Sequence, residues 1–181
     1  MTKEIIISGF GGQGVVSSGI ILAYAGLIED KHVTFFPSYG AEMRGGTANC
    51  SVVVSGEPVA SPIVSNPDIV IIMNEPSLTR FEPTVKPEGM LLYNKTLIKS
   101  QPKRKDITVI PIEANAIAEE LGQGRVANMV MLGTMIKKTG LLSLETLKNA
   151  QRKRFTKVNE EQLILNDKAL EKGYGLLENF K

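Results

Sequence analysis

Gly9, Gly11, Gly12 and Gly14 stand together behind the β-branched run Ile5-Ile6-Ile7 and ahead of a small-residue apolar stretch that reaches about Ile28. Gly9, Gly11 and Gly14 carry the G-x-G-x-x-G spacing of a turn that can hold phosphate. Glycine accepts a positive φ and lets a ligand come close to the backbone. A helix that opens at such a turn offers unpaired N–H groups and the positive end of a dipole, both suited to an anion. The same glycines, with Gln13 among them, also suit a tight strand-to-helix turn that binds nothing and merely lets the helix pack on the sheet. The residues alone leave both readings open. A second candidate is the stretch Ser38-Tyr39-Gly40-Ala41-Glu42-Met43-Arg44-Gly45-Gly46-Thr47. The planar guanidinium of Arg44, beside Gly45 and Gly46, suits a phosphate or a carboxylate. Its plainer alternative is a surface pair with Glu42, worth little. Other reactive side chains are scarce, with one cysteine, Cys50, and one histidine, His32. That excludes an internal disulfide framework and an iron–sulfur cluster held by this chain alone. It points to a reducing compartment and gives no basis for a histidine metal site. Cys50, on the apolar face of its strand, reads as a small buried hydrophobe.

These residues need a scaffold. A chain of 181 residues is expected to form one domain over 1–181. The composition, 43% hydrophobic and 22% charged, is ordinary for a globular protein. A net charge of +2 does not argue for nucleic acid, and no nucleic-acid partner is expected. The chain enters a strand almost at once, without a signal peptide. No apolar run approaches the roughly 18 residues of a membrane span. A cytoplasmic protein is therefore expected. The first strand, the helix to about Ile28 and a strand over 32–36 form a βαβ unit, predicted to close as a parallel pair. A dinucleotide fold wants an acid after that second strand; Phe36-Pro37-Ser38 provides none, which argues against a nicotinamide cofactor. Alternation predicts a strand over 48–55, and 59–63 reads as a short edge strand. The unbroken apolar run 68–74 is a central strand covered on both faces. A short helix follows over 75–81, then strands over 90–93 and 107–110, separated by a basic, solvated loop at 101–106. From Ile112 the chain reads as helical. Helices span 112–121, ending at Gly122, then 125–138, ending before Gly140, and 143–154. The last opens at a capping box, Asn159-Glu160-Glu161-Gln162, with Leu163, Ile164, Leu170, Tyr174 and Leu177 as its buried stripe. Methionines 129, 131 and 135 read as core. The fold class is α/β: a three-layer α/β/α domain on a mostly parallel, Rossmann-like sheet of about six strands, with a helical C-terminal part.

Taken together, the glycine turn, Tyr39-Gly40-Ala41-Glu42-Met43-Arg44-Gly45-Gly46, Ser61-Pro62, Lys86-Pro87-Glu88-Gly89 and Asn128-Met129-Val130-Met131-Leu132-Gly133 form a series. The series resembles the gamma subunit of the 2-oxoacid:ferredoxin oxidoreductases, the group that includes pyruvate, 2-oxoglutarate and ketoisovalerate enzymes. The resemblance covers nearly the whole chain; Ala41, where the family usually has proline, is a departure that removes no functional group. It implies a non-catalytic subunit of an enzyme that decarboxylates a 2-oxoacid oxidatively, forms an acyl-CoA and reduces ferredoxin. Thiamine diphosphate, Mg²⁺ and Fe–S clusters would belong to alpha, beta and ferredoxin-like partner subunits. It also implies that this chain lies near the coenzyme A path without binding a cofactor firmly. Gly9, Gly11, Gly12, Gln13, Gly14, Tyr39, Arg44, Gly45 and Gly46 are then the residues expected at a CoA or partner contact. A subunit built to be covered is also expected to self-associate, or to expose an apolar patch, when isolated. The alternatives are a stand-alone nucleotide-binding protein and a pure assembly module.

Overall fold

A computed structural model describes residues 2–39, 46–155 and 158–176. Its centre is a six-stranded sheet in the order β2-β3-β1-β4-β5-β6. The strands are β1 (Thr2–Phe10), β2 (His32–Tyr39), β3 (Thr47–Ser55), β4 (Ile69–Ile72), β5 (Met90–Asn94) and β6 (Thr108–Ile112). Strands β1, β4, β5 and β6 run parallel, while β3 is antiparallel to both β1 and β2. The expectation of adjacent parallel β1 and β2 is corrected here. The two point the same way, but β3 is inserted between them. The physical reason is β3 itself: nine residues, nearly all covered, that pair along their full length with both neighbours. The 59–63 stretch is not a strand; Ile63 is 65% exposed, and two prolines at 58 and 62 remove ladder donors. Outer strand β2 carries Pro37 in its middle, which interrupts the row of N–H groups along that edge.

The helices are α1 (Val15–Ile28), α2 (Glu75–Phe81), α3 (Ala114–Glu120), α4 (Ala127–Thr139), α5 (Leu144–Arg154) and α6 (Glu160–Gly175). Alternation divides the sheet residues between two cores. Ile5, Ile7, Cys50, Val52, Ile69 and Ile71 face α1 and the C-terminal helices. Ile6, Val53, Val70, Ile72 and Leu91 face α2 and the loop residues Val64, Ile98 and Ile107. Strand β4 contributes to both, as its unbroken apolar sequence requires. One outer layer is thus thick and the other thin. On the thick side α1 lies close to the sheet because two glycines face it. A Cβ at Gly19 would sit 2.5 Å from Cys50 Sγ, and one at Gly26 would sit 2.6 Å from Val33.

Ile112 ends β6 rather than opening a helix, and residues 124–126 form a 3-10 turn ahead of α4. Asn74, Ser143 and Asn159 cap α2, α5 and α6 through their side-chain oxygens. Gln162 turns its amide to Asn166 instead of closing a capping box. Of the stripe expected on α6, Leu163 and Leu170 are buried, Ile164 is 44% exposed, and Leu177 lies outside the described residues. Met129, Met131 and Met135 are core. The basic loop is stapled rather than free: Glu82 accepts from the backbone N–H groups of Lys103 and Arg104, and Glu75 from those of Lys99 and Ser100.

Candidate functional site

The chain leaves β1 through α1 toward β2 on one side of the sheet, and leaves β4 through α2 toward β5 on the other. Neighbouring parallel strands whose connections diverge in this way open a crevice at their carboxyl ends, and α/β folds bind ligands there. The glycine turn sits in that crevice. Gln13 spans it, accepting from the Phe10 N–H at 2.6 Å and donating Nε2 to the Met73 carbonyl at 3.1 Å, so the carboxyl ends of β1 and β4 are tied by one side chain. Gly9 has no room for a side chain, since a Cβ there would meet Met73 Cβ at 2.7 Å. Gly9 therefore packs, and Gln13 ties. Gly12 and Gly14 adopt φ of 98° and 73°, which other residues rarely hold. Among the described residues nothing lies within 4 Å of a Cβ placed on Gly12, so on their side that position is open to the crevice.

Asn128, at the start of α4, fixes the turn from above. It is 95% covered, and its Nδ2 donates to the Gly14 carbonyl at 3.1 Å and to Ser18 Oγ at 2.9 Å. Helix α1 itself opens with no side-chain cap and no acid in its first turn, so its leading N–H groups keep their positive character.

Two adjoining cavities share Gly12 and Arg125 as walls. One, of about 210 Å³, also meets Gln13, Met73, Asn115 and Gly124. The other, of about 230 Å³, runs over Gly14 and Ser17 toward Gln162 and Asn166 on α6. Among the described residues, Arg125 is the single charged one in either lining, and no carboxylate among them lines either cavity. Size does not select the site: a depression of about 440 Å³ lies at the opposite end of the sheet. Lys86 there pairs with Glu4 at 2.7 Å and Asp68 at 3.3 Å. Those contacts, the hydrogen bond to Glu4 foremost, hold Lys86 above the usual lysine range.

Of the residues expected from sequence, Gly9, Gly11, Gly12, Gln13 and Gly14 form the turn, and Gly46 joins it through its carbonyl, which accepts from the Gly11 N–H at 2.9 Å. Tyr39 is on the same edge of the sheet, because Gly9 is in register with Ala48 and Ala48 with Tyr39, but it is on the outer strand and 53% exposed. Arg44 and Gly45 lie outside the described residues. Sequence reasoning passed over Arg125, although Gly122-Gln123-Gly124-Arg125 repeats the signal that drew attention to Arg44, a guanidinium beside glycines in a loop. Cys50 is fully buried and burial pushes its thiol up to about 12, so this thiol is not poised as a nucleophile. Among the described residues no three His, Cys, Asp or Glu side chains gather to hold a metal, and no helix is long and apolar enough to cross a membrane.

A glycine turn at the switch point and an uncapped helix start, beside a wall on which Arg125 is the one charged side chain among the described residues, define an α/β domain with a crevice at the carboxyl ends of β1 and β4. Residues 4–176 match the family model described as pyruvate ferredoxin/flavodoxin oxidoreductase, and the chain belongs to that family. Among curated relatives it is 42% identical over 171 residues to the ketoisovalerate oxidoreductase subunit VorA of Methanothermobacter marburgensis, covering 94% of this chain and 35% of that protein. It is 36% identical to the 2-oxoglutarate synthase subunit KorC of Methanocaldococcus jannaschii, covering 96% of this chain and 93% of that one. The chain thus spans about a third of the length of the ketoisovalerate relative and nearly all of the 2-oxoglutarate one. Among solved structures, the gamma subunit of a keto/oxoacid ferredoxin oxidoreductase from Geobacter sulfurreducens superposes with a TM-score of 0.80 at 30% identity, covering 95% of this chain and 96% of that one. The 2-oxoglutarate:ferredoxin oxidoreductase from Magnetococcus marinus, with 2-oxoglutarate, coenzyme A and succinyl-CoA bound, superposes with a TM-score of 0.88 at 28% identity, covering 98% of this chain and 31% of that one.

Proposed function

We propose that this chain, as a single domain over 1–181, is the gamma-type subunit of a cytoplasmic, multi-subunit 2-oxoacid:ferredoxin oxidoreductase. The observation that carries the reading is the end-to-end similarity to KorC, a relative of nearly the same extent, together with the family match over 4–176. The complex would convert a 2-oxoacid, CoA and oxidised ferredoxin into an acyl-CoA, CO₂ and reduced ferredoxin. Thiamine diphosphate, Mg²⁺ and the clusters fall to alpha, beta and ferredoxin-like partners, and this chain contributes assembly and part of the CoA path. The residues proposed for that contact are Gly9, Gly11, Gly12, Gln13, Gly14, Tyr39, Arg44, Gly45 and Gly46. The open Gly12, the uncapped start of α1 and a wall without an acid among the described residues fit a CoA phosphate. When bound, CoA supplies the thiol that accepts the acyl group; this chain's residues would hold and orient its charged end.

A pure assembly role has one observation in its favour: Gly9 and Gln13 are already occupied in packing and in tying β1 to β4. Exposed Phe10 and Phe36, on one face of the sheet by register, support a face covered by a partner or a second copy. Viologen reduction tests the subunit reading, with 2-oxoacid, thiamine diphosphate, Mg²⁺ and CoA supplied. The isolated chain is expected to be inactive and the reconstituted complex active. Turnover by the chain alone, free of other subunits, would refute the reading.

A further inference from the structure

Building on the subunit reading, on which it rests, we propose that the outward side of α1 docks another subunit of the complex, one that offers an apolar groove with a carboxylate at its edge to meet Arg154. Composition points there first. None of the 14 residues of α1 is charged. At 3.6 residues per turn Val16, Ile20, Tyr24 and Leu27 share one side of the helix, opposite the buried Val15, Leu22 and Gly26. Val16 and Ile20 are half-buried, while Tyr24 and Leu27 are 40% and 56% exposed. A helix that is apolar all round belongs under cover. Helix α4 obeys that rule. It is uncharged from Ala127 to Ile136, every one of those residues is buried, and α6 lies across it at Gly133. The sheet and α5 cover the rest of α1, but among the described residues this side stays open.

Arg154 gives the surface its polarity. Its guanidinium carbon lies 6.0 Å from the centre of the Tyr24 ring and 5.8 Å from that of Phe155, at the edge of the stripe. It is exposed and makes no ion pair among the described residues. A guanidinium stacked on aromatic rings keeps its fork for a carboxylate, and tyrosine and arginine are the types that dominate binding surfaces. A second copy would bring the same uncharged stripe and the same cation, and so no acid from that stripe. The extent of the relatives favours a different chain as well. The matching segment is 35% of VorA and 31% of the Magnetococcus marinus chain, so the larger part of both lies outside this domain and is joined to it. On the subunit reading the counterpart of that part is a separate polypeptide. Without a tether to raise its effective concentration, the contact depends on the surface itself.

The test is reconstitution of the complex, with viologen turnover followed as this chain is titrated in. Leu27→Glu is expected to raise the amount of chain needed for half-maximal turnover by about ten- to a hundredfold, the effect of losing a central contact residue, and to leave the rate at saturation unchanged. Arg154→Glu should weaken entry by about tenfold, because it sets like charges against each other. Arg154→Lys should weaken it less, since lysine keeps the charge without the planar fork. Ile63→Glu, at an exposed apolar residue in the loop after β3, is the control and should enter like the unaltered chain. Leu27, Arg154 and Ile63 are all exposed, so unchanged far-UV circular dichroism separates lost docking from lost fold. Equal entry by Leu27→Glu, or an equal loss in Ile63→Glu, would overturn the proposal. So would a chain that sediments alone as a dimer and becomes monomeric with Leu27→Glu, which would give the face to a second copy. If the unaltered chain enters no complex at all, the subunit reading falls, and this docking surface with it.

Discussion

Helices α4 and α6 cross backbone to backbone, and a single methyl group at the crossing should separate them. A Cβ on Gly173 would lie 2.0 Å from the Val130 carbonyl oxygen, and one on Gly133 would lie 2.1 Å from that of Leu170. Both clashes are with main chain, so no side-chain rotamer relieves them. The helices would have to part by on the order of 1 Å to reach ordinary contact distance. Parting them also lengthens the bond from Thr134 Oγ1 to the Gly173 carbonyl, now 2.9 Å. Overpacking of this kind costs about 1–3 kcal/mol, and the rigid main-chain contact puts Gly173→Ala at the upper end. Against it stands the gain of about 1 kcal/mol from replacing glycine by alanine within a helix. The net expectation is a loss of about 2 kcal/mol, or roughly 4–8 °C in Tm for a chain of this size. Urea denaturation followed by far-UV circular dichroism measures it, with Gly175→Ala as the control. Among the described residues nothing lies within 4 Å of a Cβ on Gly175, so that variant should be neutral or slightly more stable. If Gly173→Ala unfolds within about 0.5 kcal/mol of Gly175→Ala, the spread expected of surface changes, the close-crossing argument is wrong.

Cys50 yields a pH dependence. Its folded thiol is raised from 9.0 to about 12, so between those values the fold holds a proton that the unfolded chain releases. Its contribution is therefore complete below about pH 9 and declines as pH rises through the window, by up to about 1.4 kcal/mol per unit. Cys50→Ala should flatten the alkaline slope relative to the unaltered chain, and a thiol reagent at pH 8 should label Cys50 only on unfolding; rapid labelling of the native protein would contradict its burial. Gln13→Ala removes the tie between Phe10 and Met73 and should cost about 1–3 kcal/mol. Gln13→Glu should not restore it, since a carboxylate cannot donate to the Met73 carbonyl; a fully stable Gln13→Ala would mean the tie is dispensable.

The elements most legible in the sequence are those whose period and termini agree. Strand β4 was readable from an unbroken apolar run, α2 from Glu75-Pro76-Ser77, and α5 from Ser143, whereas the Asn74 cap of α2 emerged only in the structure. Pairing was not legible. Whether β1 joins β2 directly or across β3 depends on which strand has enough length and apolar surface to sit inside, and β3 wins that contest through contacts far apart in sequence. The edge-strand reading of 59–63 failed for a related reason. Val59 packs against the thin core, but no neighbour is placed to pair with the backbone there.

The candidate site was legible at its glycines and not at its walls. Spacing picks out the turn because positive φ and close approach are properties of single residues. Asn115 enters the crevice from the far end of the chain with no local pattern to announce it, while the glycines beside Arg125 and the run that opens at Asn128 are local signals that do not tell which strand ends they meet. The run from Asn128 to Gly133 gains a physical reading from the structure. Asn128 grips the Gly14 carbonyl, and Gly133, further along the same helix, lets α6 come down onto α4. One helix thus sets both the turn and the position of α6, whose Gln162 and Asn166 close the outer cavity. A change at the α4–α6 crossing should therefore be felt in the crevice as well as in stability. Gly173→Ala, although its Cβ meets α4 and not the crevice, is expected to move the backbone amide resonances of residues 11–18 as well as those of α4 and α6, because Asn128 carries the displacement to the Gly14 carbonyl. Shifts confined to α4 and α6 would mean that the crossing and the glycine turn are uncoupled.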